Sequence, residues 1–91
     1  MNFDYNRIKQ STTDTLLRYV NQGIPTGDFL RAVLSNNMFE AFGRADSENY
    51  ATMGDIVAYI YNELPSGCWG SPDKYKAWLK MKQTERENNN G

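Results

Sequence analysis

The chain has 91 residues, no histidine, one cysteine and a formal net charge of −1. That length admits one domain, and the missing histidine removes His-based triads, most zinc sites and the usual neutral-pH general base. One cysteine allows no internal disulfide, no apolar run reaches membrane-span length, and the near-zero charge argues against a dedicated duplex-binding protein.

Ile8, Thr12, Leu16, Tyr19 and Val20 recur at helical spacing and predict a first helix ending near Gln22. Gly23 suits a left-handed cap, and Pro25 blocks continuation. Either Asp4 caps a long version of this helix or Ser11 caps a shorter one. A second helix follows Thr26 as N-cap, with Asp28 in its first turn and Phe29, Leu30, Val33 and Leu34 as its apolar face. Ser35-Asn36-Asn37 breaks it. Asn37 then caps a short helix bearing Met38, Phe39, Ala41 and Phe42, which Gly43 ends.

Asp46 or Ser47 caps the third long helix, in which Met53, Ile56, Val57, Ile60 and Leu64 form one stripe. Pro65 closes that helix, and 65–70 is a turn-rich connection. Ser71-Pro72 opens the last helix as N-cap and N1, with Tyr75, Trp78 and Leu79 facing inward. No segment alternates with period two. The expectation is an all-α domain, a compact bundle of four to five short helices over residues 1–86, with a disordered polar tail at 87–91. The N-terminus shows no signal-peptide hydrophobic region, so a cytoplasmic location is expected.

Several strings here occur together: Ile24-Pro25-Thr26-Gly27-Asp28-Phe29-Leu30, Ala32-Val33-Leu34-Ser35-Asn36-Asn37, Gly43-Arg44-Ala45-Asp46 with Asn49, and Cys68-Trp69-Gly70-Ser71-Pro72 with Trp78. This pattern, over about residues 16–79, resembles a group of small proteins found mostly in phage and prophage genomes. The group carries no established activity, so no residue role comes with it. What the resemblance implies is a setting: a small accessory protein in the host cytoplasm that binds a host component, a defence protein among them, or sequesters a signalling nucleotide.

The loop 66–71 leads into a helix start, and Gly67, Gly70 and Ser71 could offer N–H groups to an anion, with Arg44 as the cation. The same residues also read as a structural turn, with Trp69 over the core and Ser71 as cap. Pro72 removes one donor, and the P-loop ending is missing. Arg44 equally reads as a cap or an ion-pair partner. Cys68 has no histidine as base and reads as a small buried side chain. Asp46, Glu48 and Asp55 share a segment without the spacing of a metal loop, so neither metal nor cofactor is expected.

Charge is uneven: five basic against eight acidic side chains over 1–71, and five against three over 72–91. Lys76 and Lys80, one helical turn apart, could touch nucleic acid, though a solvated face accounts for them as well. Tyr59 and Tyr61 lie about 200° apart around their helix, so one of them reaches the surface unless the helix is central. The expected function is non-enzymatic: binding of a host protein through Arg44, Tyr59, Tyr61 and Trp69. The alternatives are an anionic small-ligand site at Arg44, Gly67, Gly70 and Ser71, and a weak nucleic-acid contact through Lys76 and Lys80. Spare aromatic side chains would also allow a homodimer.

Overall fold

The computed structural model describes residues 4–89, and within them every regular element is helical. The elements are α1 (Gln10–Gln22), α2 (Asp28–Leu34), α3 (Met38–Arg44), α4 (Ser47–Ala51), α5 (Met53–Glu63) and α6 (Pro72–Asn89), with single 3-10 turns at Tyr5–Arg7 and Ser66–Cys68. The all-α small bundle expected from periodicity is what forms. Leu16, Tyr19, Leu34, Ile56 and Cys68 are its largest fully buried side chains. They come from α1, α2, α5 and the loop before α6, and Ala41 of α3 and Tyr75 of α6 join the same core.

Caps decide most of the boundaries. Asn37 accepts the Glu40 N–H at 3.3 Å and starts α3. Asp46 accepts the Asn49 N–H at 2.8 Å and starts α4. Ser71 accepts the Lys74 N–H at 3.1 Å, with Pro72 at the first helical position. Gly23 ends α1 with φ +67°, a left-handed conformation that costs other residues energy.

Five boundaries differ from the sequence expectation. Asp4 caps only the 5–7 turn, where it accepts the Asn6 N–H, and α1 starts at Gln10. Ile8 therefore lies outside the helix yet is buried. Thr26 does not cap α2. Its N–H donates to the Tyr75 hydroxyl at 3.0 Å, and Gly27 takes the cap position. Gly43 lies inside α3, which continues through Arg44. The third long helix is interrupted at Thr52, whose hydroxyl donates back to the Glu48 carbonyl at 2.9 Å, a bond that bends helices. At the other end α6 extends to Asn89, into the expected 87–91 tail; residues 90 and 91 lie outside the described residues.

Gly23 also lies close against α6. A Cβ there would collide with the Cβ of Lys82, whose stem covers the glycine. Gly23→Ala combines that clash with a left-handed alanine, so it should destabilise by at least about 1–2 kcal/mol. Urea unfolding should show a lower midpoint with an unchanged slope.

Candidate functional site

The expected binding residues do not form one surface. Arg44 ends α3, where its Nε donates to Glu40 at 2.8 Å and a terminal nitrogen donates to Asp28 at 3.2 Å. These bonds hold the guanidinium above its ordinary pKa, the Glu40 bond first, and staple the end of α3 to the start of α2. All three side chains are half-exposed, so the pairs add little stability.

Tyr59 sits on the far side of α5 from the outward-facing Tyr61. It is half-buried, with its ring edge-on to Tyr5 at 5.3 Å, and burial raises its phenol pKa. Tyr61 is 69% exposed, and its ring lies 5.6 Å from that of Trp69. Tyr61 and Trp69 are therefore the two expected residues that the fold brings together.

The glycine loop is occupied by the fold itself. The Gly70 N–H donates to the Leu34 carbonyl at 2.7 Å, and Gly70 has φ +122°. The Ser71 hydroxyl holds the Lys74 N–H, and Gly67 packs beside the Trp78 ring. Gly70 lines an apolar hollow with Trp69 and Tyr61, whereas Arg44 is held by carboxylates of α2 and α3. Lys76 and Lys80 are exposed on α6. The neighbouring Lys82 is engaged, with its ammonium 5.3 Å from the Trp78 ring centre and 3.2 Å from Glu85. Lys76 also borders a hollow with Asp28, Arg31 and Glu40, where charges of both signs mix.

Cys68 is fully buried, and its burial pushes the thiol up to about 11. Its carbonyl accepts the Tyr19 hydroxyl at 2.7 Å. Among the described residues no group of three or more Cys, Asp or Glu side chains is placed to hold a metal, and no helix is long and apolar enough to cross a membrane.

The most distinctive surface is a pair of joined hollows over α3 and α5. One, of about 620 Å³, is lined by Met38, Phe42, Met53, Gly54, Val57, Ala58, Tyr61 and Asn62. The other adds Val33, Asn36, Ile60, Trp69 and Gly70, sharing Met38, Val57 and Tyr61 with the first. No lining residue carries a charge. The cause lies in α5. Met53, Ile56 and Ile60 face the core, while Gly54, Val57, Ala58 and Tyr61 repeat at i, i+3, i+4, i+7 on a second side. Gly54 and Ala58 are small, so that side is low between the α3 side chains and Tyr61. Phe42 and Tyr50 extend it, with ring centres 5.3 Å apart.

Sequence reasoning missed Val57 as a site residue because it placed it in the core-facing stripe, and missed Met38 and Phe42 because it placed them on a short helix without asking which face they take. A signal was available. Met38, Phe39, Ala41 and Phe42 spread over about 160° of a seven-residue helix, more than one packing face needs. Phe39 is in fact 97% exposed. Scans against protein-family models and searches of curated proteins and solved structures returned no match.

Two measurements check this description. Cys68 should resist a thiol reagent in the native protein and react stoichiometrically after unfolding; rapid native labelling at pH 8 would contradict its burial. The second concerns Asp46, held below the usual carboxylate range by the Lys9 ammonium at 2.6 Å and by the Asn49 N–H. A depressed native pKa contributes stability above the unfolded carboxylate value of about 3.9 and loses it as pH falls through the native value. Stability should therefore decline from about pH 4 downward, with a shallower decline in Asp46→Asn.

Proposed function

We propose that this chain is a non-enzymatic binding protein of the phage accessory kind its motifs resemble, and that it seats an apolar helix of a host protein in the α3–α5 groove. The uncharged, aromatic-walled groove carries the reading. A partner helix with anchors at i, i+3, i+4 and i+7 matches such a surface, because its apolar face meets no buried charge. Tyr61 and Trp69 supply large area with few rotatable bonds, the usual make-up of an interface anchor. Arg44 and Tyr59, tied into the fold, lie outside this surface.

The anionic-ligand alternative loses its main support, because Gly70 and Ser71 spend their polar groups on the backbone of the fold. Against catalysis, the described residues assemble no candidate centre, and the sole thiol is buried with its pKa raised.

Affinity capture from a bacterial lysate, followed by titration of the identified partner, tests the proposal. Tyr61→Ala should weaken binding by roughly 30-fold, the effect of about 2 kcal/mol for an interface anchor. Val57→Asp should abolish it, and Arg44→Ala should bind as the parent does. Normal binding by Tyr61→Ala and Val57→Asp, with circular dichroism unchanged, would sink the reading. So would a nucleotide that raises the melting temperature of the parent but not of Arg44→Ala.

A further inference from the structure

We infer that the free protein covers this same groove with a second copy of itself, as a two-fold symmetric dimer that a partner helix must displace. The inference rests on the groove being the contact surface and adds what occupies it beforehand.

Area points to this occupant. Phe39 is 97% exposed, Tyr61 69%, Tyr50 59% and Phe42 42%. At 150–250 Å² per aromatic side chain, these four leave roughly 500 Å² of ring surface in water. A standard interface covers about 800 Å² per partner, of which up to about 65% is apolar at homodimer contacts. The open aromatic surface is therefore about the apolar share of one half of such an interface.

Shape and charge point the same way. A two-fold contact requires a self-complementary surface, with a projection and a recess side by side. Here α3 carries both: Phe39, about 60° round the helix from Phe42, stands out from it, and Met38 and Phe42 wall the recess. A face with a net charge of one sign repels its own copy. The residues lining this groove carry none, and the whole chain carries only −1.

Phe39 makes a clean test, since a side chain that exposed contributes almost nothing to the folded monomer. Sedimentation equilibrium at roughly 100 µM should give the mass of a dimer, because association with a micromolar Kd is largely complete there. Phe39→Asp and Tyr61→Asp should sediment as monomers with unchanged circular dichroism. Leu17→Asp, which alters an exposed apolar residue of α1, should remain dimeric. A monomeric parent at that concentration overturns the inference. So does a dimer that survives both groove substitutions, or one that Leu17→Asp dissolves. A monomeric parent whose partner binding still depends on Tyr61 would leave the host-protein reading standing, so the two failures are distinguishable.

Discussion

The hydroxyl of Tyr19 sits in the centre of the bundle and donates to the carbonyl of Cys68 at 2.7 Å. Both residues are fully buried, so this bond satisfies two polar groups that water cannot reach. The Tyr19 ring stacks on Tyr75 at 5.0 Å, and the Tyr75 hydroxyl in turn accepts the Thr26 N–H. One side chain of α1 thereby positions the loop before α6, the inner face of α6 and the entry to α2. Losing the hydroxyl would strand a buried carbonyl, which commonly costs about 1–3 kcal/mol.

The groove depends on that constraint. With Cys68 held under α1 and the Gly70 N–H held by Leu34, Trp69 between them has little freedom and lies beside Tyr61. A chain of 91 residues cannot cover every apolar side of its helices. Here α5 has two apolar sides: one packs into the core, and the other, with α3, remains on the surface. The economy of the fold and the presence of a contact surface have the same origin.

The parts of the fold legible in the sequence were those set by neighbouring residues. Asn37, Asp46 and Ser71 cap their helices because a short polar side chain reaches an N–H three residues on, whatever the rest of the chain does. Boundaries decided by distant residues were not legible. Thr26 was drawn from its cap by Tyr75, 49 residues away. The Tyr5–Arg7 turn is held off α1 by long-range contacts, with the Asp4 N–H donating to Asp55 and Tyr5 packing on Tyr59. Thr12 and Asn49 bond in the interior at 2.9 Å, joining α1 to α4, a pairing no local pattern announces.

The candidate site divides in the same way. Helical geometry alone placed Tyr59 and Tyr61 on opposite sides of one helix and so required that they part company. Residue types alone marked Trp69, Arg44 and the glycine loop as worth weighing. Periodicity picked out Met53, Ile56, Ile60 and Leu64 as the core-facing stripe of α5, and they are buried; Val57, placed in the same stripe, is instead 38% exposed, an outcome that only the packing around its edge decides. Only packing left Val57 and Phe42 on the surface, brought Trp69 to Tyr61, and tied the Gly70 N–H to Leu34 and Arg44 to Asp28. The sequence by itself determined an all-helical chain with named caps and no histidine chemistry. The tertiary structure decided where its surplus of aromatic surface would lie, because burial in so small a core is a competition among faces that no single segment contains.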